Sequence, residues 1–578
     1  MSIMLKDWFV YPAAPPSLLR QYRDISPVLA QVLYNRGFTD PQSAAHFLYD
    51  RDLKAMANPF ALKDMALAVG RIRQAIKRKE RIAVYGDFDA DGVTSTALMM
   101  QVLRAFGADA LAYIPNRVDE GYGLNTPALE KLAREDKVKL VVTVDCGIRS
   151  VDDVEAGKRA GLDIVITDHH SVGAELPRAF AVVNPQQADC RGDKALAGCG
   201  VAFMVAWGII MKYAEEYGTD KLPRLRLSDM LDLVAIGTVA DIMKLNSPLN
   251  RALVVHGLNT INEGRRLGIR ALADVAGLKL GQITSQDIGF GFGPRINAAG
   301  RLEHALTAYE LLSTHDEEHA HQLAEKLQEL NRRRQDLTRE AQQRINAHII
   351  ASGANEQHLI FAQDDHIQAG IVGLVAGRLT EEYYRPTVVL ERGEAESRAS
   401  CRSIPEFHIT HALDECADLL LRHGGHAMAA GFTVANANLE ALYHRLLDKA
   451  TTALSGQALR PKLTVDAELR LRQLTVQLTE DLRLLEPTGH GNPPPLFLTR
   501  NLDVTEARTV GTDDAHLKLK LRGDNQPPID AIGFGMGDWL GRMPARVDVV
   551  YALEVNEWQG RRNLQLRLED LHPSEGQA

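Results

Sequence analysis

Short apolar runs that end in acids alternate with helical periodicity through the first half of the chain. Arg81 to Tyr85 is an apolar run that reads as a buried strand, and Val93 onward reads as a helix. Lys139 to Val144 (KLVVTV) is a second, β-branched run, and it ends at Asp145-Cys146-Gly147. Asp163 to Thr167 (DIVIT) is a third, and it ends at Asp168-His169-His170. Helical patterns at 94–106, 127–135 and 151–160 separate these runs. Strand, helix, strand, helix is the signature of a parallel sheet. Leu231 to Val239 then reads as a long apolar helix leading into Ala240-Asp241-Ile242.

The pattern changes three times further on. From 316 to 350, Ala320, Leu323, Ala324, Leu327, Leu330, Leu337, Ala341 and Ile345 recur at near-helical spacing amid charge. That predicts a long amphipathic helix joining two domains. A second α/β lobe follows, with strands at His358–Ala362 and Pro386–Leu390 and a helix opened by Gly370-Ile371-Val372-Gly373. From about 462 the runs become short and alternating, at 463–471, 496–504, 516–521, 529–534, 547–553 and near 563–568. Turns rich in Gly, Asn and Pro separate them, as in a small OB-fold β-barrel. The expected organisation is an N-terminal extension (1–55), a parallel α/β domain (56–260), a helical connector (261–354), a smaller α/β domain (355–457) and a barrel (458–578).

The chemistry sits where the strands end. Asp87, Asp89 and Asp91 occupy alternate positions after the first run. Crowded acids at a strand end call for neutralising cations, and Mg²⁺ and Mn²⁺ take oxygen ligands of this kind. Taken alone, the motif is also compatible with a solvated acidic turn. An EF-hand is excluded, because Leu98 stands where the twelfth-position Glu is required. Sites in open α/β sheets form beyond the carboxyl ends of strands. Here three successive strand ends carry Asp89/Asp91, Asp145 and Asp168-His169-His170. Asp241 alone would read as a helix cap, but it completes an Asp-and-His set suited to two Mn²⁺ or Mg²⁺ ions. Zinc prefers more His and Cys.

The segments GDFDADGVTS, VTVDCGI, TDHH and GTVADIM, in this order, resemble the DHH superfamily of phosphoesterases. NRVDEGYG (116–123), PRINAAGR (294–301) and GGHAMAAG (424–431) narrow the resemblance to the RecJ family of bacterial single-strand-specific 5′→3′ DNA exonucleases. It runs from about residue 20 to the C-terminus. It implies a parallel-sheet DHH domain, a smaller DHH-associated α/β domain beyond a long helix, and a C-terminal OB-fold. It also implies that Asp89, Asp91, Asp145, His169 and Asp241 ligate two ions, with Asp145 bridging and acting with His170 in catalysis. Tyr85 stands where many superfamily members have a ligand His, so Asp87 is added to the ligand set.

By the same resemblance, Arg117, Arg295, Asn297, Arg301, Ser400, Arg402, Gly425 and His426 bind the substrate. Ser400 and Arg402 are expected at the 5′-terminal phosphate, a role that a hydroxyl and a planar guanidinium suit. Without the family, Gly424-Gly425 would read as a plain turn. Lys518, Lys520, Arg522, Trp558, Arg561 and Arg562 are barrel candidates for single-strand contact. The implied activity is degradation of single-stranded DNA to mononucleotides in recombination and repair. The implied partners are a single-strand-binding protein and a RecQ-type helicase, and the implied state is a monomer.

Composition narrows the alternatives. The 578 residues suffice for several domains. No run approaches the length of a membrane span, and the N-terminus lacks a signal-peptide pattern, so a cytoplasmic location is expected. Five cysteines with no C-x-x-C pair argue against a disulfide framework or a zinc ribbon. A net charge of −9 excludes a generic nucleic-acid coat but leaves room for a locally basic channel. The absence of G-x-x-x-x-G-K-[ST] excludes a P-loop helicase. A small-nucleotide phosphodiesterase would not need the barrel, and a non-catalytic scaffold would not need the full ligand set.

Overall fold

The computed structural model describes residues 5–22, 24–117, 119–558 and 561–574; of residues 557, 558 and 561 only the backbone is described. The chain forms two compact units. One comprises Arg51–Gln457 with Gly489–Gly491, and the other combines Met1–Asp50 with Ala458–Thr488 and Asn492–Ala578.

The larger unit is built on a five-stranded sheet in the order Ala110–Tyr113, Arg81–Tyr85, Val138–Thr143, Asp163–Thr167, Ala181–Val183. All its ladders are parallel. The apolar runs are buried on both faces, as parallel strands covered by helices must be. The three central strands therefore open their carboxyl ends at one edge, and that edge receives Asp87/Asp89, Asp145 and Asp168-His169-His170. The helix Leu231–Ala240 has no polar face and is buried almost throughout, which places Asp241 at its end against the same edge.

The 261–354 region is more than a connector. Ile269, Leu272, Phe292, Ile296 and Leu311 share one apolar core with Ile82, Val84 and Leu140 of the sheet. The long helix Glu317–Ser352 starts at an Asp316 cap and ends at Gly353 in the left-handed region (φ 71°). Its first half buries Ala320, Leu323, Ala324 and Leu327 in the sheet core. Its second half buries Ala341, Ile345 and Ile349 against Ile360, Val375 and Leu379 of the second lobe. One helix of 36 residues, about 54 Å at 1.5 Å per residue, thus anchors both cores. The second lobe is a mixed sheet in the order Leu420–Gly425, Ala429–Ala435, Glu396–Arg402, Thr387–Arg392, Ile360–Gln363.

The smaller unit contains the barrel. Strands Phe497–Val510, His516–Arg522, Ile529–Gly533, Arg561–Pro573 and Arg546–Trp558 follow one another, and a further ladder between Phe497–Val510 and Arg546–Trp558 closes the ring. The expected strand over 463–471 is divided. Lys462–Val465 lies outside the barrel, and Ala467–Glu468 joins Phe497–Val510. Between them Asp466 is tied to Asn35 Nδ2 at 3.2 Å and to the Leu496 N–H at 3.1 Å.

The N-terminal residues are a correction to the expected domain order. They are not an extension ahead of the parallel-sheet domain. Strand Asp7–Val10 pairs in parallel with Lys462–Val465. Leu29, Val32, Leu33 and Phe47, from helices Pro27–Asn35 and Pro41–Tyr49, enter the barrel core beside Leu485, Phe497 and Tyr551. Helical periodicity names this buried face without naming the partner that covers it.

Leu33 is fully buried in that core. Leu33→Ala should cost the barrel unit about 2–5 kcal/mol through lost burial and a residual cavity. Hydrogen exchange of barrel amides in a denaturant series would measure this; unchanged protection would refute the shared core.

Candidate metal and phosphate site

Backbone N–H groups hold Asp89 and Asp91 at the sheet edge. Asp89 caps the helix Ala90–Ala105, accepting from the Asp91 and Gly92 N–H groups at 2.9 and 3.0 Å. Asp91 follows in the first turn and accepts from the Gly198 and Cys199 N–H groups at 2.6 and 2.8 Å. Those donors open the helix Gly198–Tyr217, whose positive end favours a carboxylate. Asp145 sits in the left-handed region (φ 63°), and its N–H donates to Thr167 O at 3.0 Å. Asp tolerates this backbone better than most residues, at a cost of order 1 kcal/mol or more. A Cβ on Gly198 would lie 2.5 Å from Asp145 Oδ1, so only glycine lets that helix start so close.

The helix Leu231–Ala240 ends in a Schellman arrangement: Ile242 N donates to Val239 O and Met243 N to Thr238 O, both at 3.1 Å. Asp241 is its cap residue. His169 Nε2 lies 3.1 Å from Asp145 Oδ1, 3.4 Å from Asp241 Oδ2 and 3.8 Å from Asp91 Oδ2.

Three overlapping groups converge here, one of them Asp145, His169 and His170. Asp91, His169 and Asp241 bring ligand atoms within 4.8 Å of one another, and so do Asp87, Asp89 and Asp145. Asp87 Oδ1, Asp145 Oδ1 and His169 Nε2 are buried without a hydrogen-bond partner. Buried polar atoms are rarely left so. Oxygen donors with one imidazole, orphaned and converging, fit hard divalent cations. The Asp87–Asp89–Asp145 grouping supplies three oxygens without Tyr85. Tyr85 is fully buried, its hydroxyl is bound to Gly123 O and Asn125 Nδ2, and its ring stacks on Tyr113 at 4.9 Å.

The electrostatics point the same way. Burial, then Asp89, lifts Asp87 well above the ordinary carboxylate range. Burial, then Asp91, Asp89, Asp87 and Asp241, does the same to Asp145. Asp241 is pushed up to about 8 by burial and by Asp91 and Asp89. Burial lowers His169, which favours the neutral imidazole that a metal needs.

His170 differs. Burial presses its pKa down, but the hydrogen bond and charge of Asp168, with Asp241 and Asp91, raise it to about 9. Its Nδ1 lies 2.7 Å from Asp168 Oδ1, which leaves Nε2 for another partner. Asp168 has no solvent exposure and accepts in addition from the Ile148, His169 and His170 N–H groups at 3.0, 2.7 and 3.0 Å. It fixes both histidines, a positioning role that the sequence alone does not assign although the residue stands in D-H-H. Tyr122 is a second residue the motifs leave unassigned; its hydroxyl lies 3.1 Å from His170 Nδ1 and 3.4 Å from Asp145 O.

A basic pocket of about 270 Å³ is lined by Arg117, Arg301, Arg398, Ser400, Arg402 and Glu391, with Gly370 and Gly373. Strand alternation puts 398, 400 and 402 on one face, so period two would have found Arg398, which the motif resemblance does not single out. Arg402 NH1 donates to Ser400 Oγ at 3.1 Å, and Arg301 NH1 to Gly370 O at 3.0 Å. Burial, with Arg117, Arg334 and Arg402 nearby, lowers Arg301 to about 10. Such a crowd of cations is the electrostatic complement of a phosphate. Arg117 belongs to both regions: its guanidinium lies 4.5 Å over the Phe88 ring and feels Asp87 and Asp89.

Four expected substrate residues lie elsewhere. Arg295 donates to Gln328 Oε1 and Gly291 O at 2.8 and 2.7 Å. Asn297 Oδ1 accepts from the Ala90 N–H at 2.8 Å, so it braces the acidic loop. Gly425 and His426 form the end of the hairpin between Leu420–Gly425 and Ala429–Ala435 and do not line the pocket. In the barrel, Lys520 pairs with Glu506 at 3.0 Å and Arg562 with Glu480 at 2.7 Å. The Trp558 and Arg561 side chains lie outside the described residues. Among the described residues no helix is long and apolar enough to cross a membrane.

Comparison with known proteins accounts for every lobe. The chain matches the DHH family N-terminal domain over residues 81–238, the DHHA1 domain over 356–455 and the RecJ OB domain over 465–570. It is 35% identical to the single-stranded-DNA-specific exonuclease RecJ of Bacillus subtilis, covering 97% of this chain and 70% of that protein. It is 35% identical to the protein of that name from Dickeya dadantii, covering 96% and 98% respectively. The crystal structure of RecJ in complex with Mn²⁺ from Thermus thermophilus superposes with a TM-score of 0.82 at 31% identity, over 99% of this chain and 80% of that one.

The raised carboxyl of Asp241 makes the metal-free site pH-sensitive. Below about 8 the folded chain holds a proton there that the unfolded chain releases near 3.9. Folding therefore loses stability as pH rises between those values. Cation binding must displace that proton, so Mn²⁺ affinity should rise as pH climbs toward 8, with proton release below it. Calorimetry in buffers of different ionisation enthalpy measures this; flat affinity and no proton release below pH 8 would contradict it.

Proposed function

The chain belongs to the RecJ family of single-stranded-DNA-specific exonucleases, and we propose that it degrades single-stranded DNA from the 5′ end to mononucleotides by two-metal phosphodiester hydrolysis. The observation that carries this reading is a paired acid cluster beside a basic pocket, with Arg117 shared between them.

Asp91, His169 and Asp241 would hold one ion, and Asp87, Asp89 and Asp145 the other. Asp145 lies close enough to His169 to serve both groups. When bound, Mn²⁺ or Mg²⁺ supplies positive charge against the developing charge of the phosphodiester and lowers the pKa of a water. The protein's own part is orientation. Nδ1–H of His170 donates to Asp168, whose charge favours the imidazolium, so Nε2 is protonated too and donates to a phosphate oxygen.

Ser400, Arg402, Arg301 and Arg117 fix the terminal phosphate. Holding the strand end at a set distance from the acids selects the adjoining phosphodiester, which yields mononucleotides and a 5′→3′ direction. Arg398 adds a fourth guanidinium to that pocket. This activity fits a role in DNA recombination and repair, in the cytoplasm, by a monomer working beside a single-strand-binding protein and a RecQ-type helicase.

The two histidines should separate by experiment. His169→Ala is expected to weaken Mn²⁺ binding. His170→Ala should retain the ions and lower turnover by roughly 10²–10⁴-fold. Equal losses of Mn²⁺ affinity in calorimetry would remove the distinction.

Polarity tests the pocket. Arg402→Ala should impair use of 5′-phosphorylated ends by about 1.5–3 kcal/mol, the value of a hydrogen bond to a charged group, with Mn²⁺ affinity unchanged. Cleavage of 5′-phosphate and 5′-hydroxyl strands is compared in wild type and variant. Equal slowing of both ends, or digestion from the 3′ end, overturns the assignment.

A further inference from the structure

Phe290 and Ile242 are the two most exposed large apolar side chains among the described residues, at 80% and 69%. Both belong to segments at the helix end that carries Asp241. Ile242 follows Asp241 directly. Phe290 stands in the π-helical turn Ile288–Phe292, which packs on the end of the helix Leu231–Ala240. A Cβ on Gly289 would lie 3.9 Å from Val239, and one on Gly293 would lie 3.3 Å from Ala240. The turn bearing Phe290 is therefore seated on the last residues before Asp241.

Neither exposure is explained by packing. Ile242 occupies the left-handed position of the Schellman motif (φ 55°), where glycine is the ordinary choice. A β-branched residue there is a conformational outlier. Glycine would relieve that strain and remove apolar surface from water. Phe290 likewise presents a ring to solvent from a π-turn, an irregularity that concentrates at functional sites. Two such placements beside one metal ligand point to contacts made only when substrate is present.

We propose that Phe290 and Ile242 form an apolar wall that receives the unpaired bases of the strand while its phosphodiester lies among the acids. The proposal rests on the reading that the substrate is single-stranded DNA. The acid cluster and the arginine pocket address phosphates alone, which duplex and single strand share. Unpaired bases offer open π faces, and an aromatic ring takes them with little regard to sequence. Bases stacked within a duplex have no such faces to offer. The wall therefore adds a chemical basis for single-strand preference.

The test uses the full chain with Mn²⁺ and 5′-phosphorylated strands in which each of the first few nucleotides is abasic in turn. Wild type should show a kcat/KM lower by roughly fivefold or more for an abasic site at one position at least. Phe290→Ala should reduce kcat/KM on the intact strand by a similar factor and no longer distinguish that abasic strand from it. Ile242→Gly should raise KM on the intact strand while its melting temperature is unchanged or higher, which separates the wall from a folding defect. The proposal fails if wild type is indifferent to abasic sites. It also fails if Phe290→Ala loses the same factor on intact and abasic strands, or if Ile242→Gly matches wild type in KM. Absence of hydrolysis of any single strand by wild type would instead overturn the underlying reading.

Discussion

Mutual repulsion among buried carboxylates governs this molecule. Asp87, Asp91 and Asp145 are almost fully buried, and Asp89 and Asp241 stand beside them. Opposite charge must neutralise them, or they must take up protons. Much of the surrounding chain serves to keep them together. The positive start of the helix Gly198–Tyr217 faces Asp91, and a glycine admits that helix beside Asp145. Asp168 directs its charge to N–H donors and to His170, which leaves the converging oxygens free for cations.

The phosphate pocket follows from the same logic with the sign reversed. Arg301 and Arg402 are desolvated there, and Arg117 lowers the proton affinity of both further. The acid cluster stands at the first sheet, Arg398, Ser400 and Arg402 stand on the second, and Arg117 and Arg301 reach the pocket from the first lobe. The helix Glu317–Ser352 has one end in each of the two cores, so the spacing between the sites is set by packed apolar side chains and not by a flexible linker. An enzyme that measures one nucleotide from a chain end needs that spacing to be stiff.

Much of the site is legible in the sequence because strand periodicity and strand-end acids coincide. Arg81–Tyr85, Val138–Thr143 and Asp163–Thr167 are continuous apolar runs, and whatever follows such runs in a parallel sheet shares one edge. The ligand set needs only that rule and the resemblance. A motif names Asn297 and Arg295 without saying which way each side chain turns; in the structure they hydrogen-bond to Ala90, Gln328 and Gly291. Asp168 and Tyr122 escape a motif reading because their work is done on other side chains. The N-terminal helices read as an extension because a local pattern carries no information about a partner far along the chain.

That separation has a consequence for synthesis. The apolar faces of Leu29, Leu33 and Phe47 emerge first, yet the strands that cover them begin only after residue 458. At 5–20 residues per second, a ribosome takes about 20–80 seconds to bridge the roughly 400 intervening residues. For that interval the sheet-and-connector unit can fold while helices Pro27–Asn35 and Pro41–Tyr49 wait uncovered, a window for chaperone capture or for docking on the wrong neighbour. The barrel is thus a late clasp between residues before 51 and residues after 457, and it closes only once both have been made.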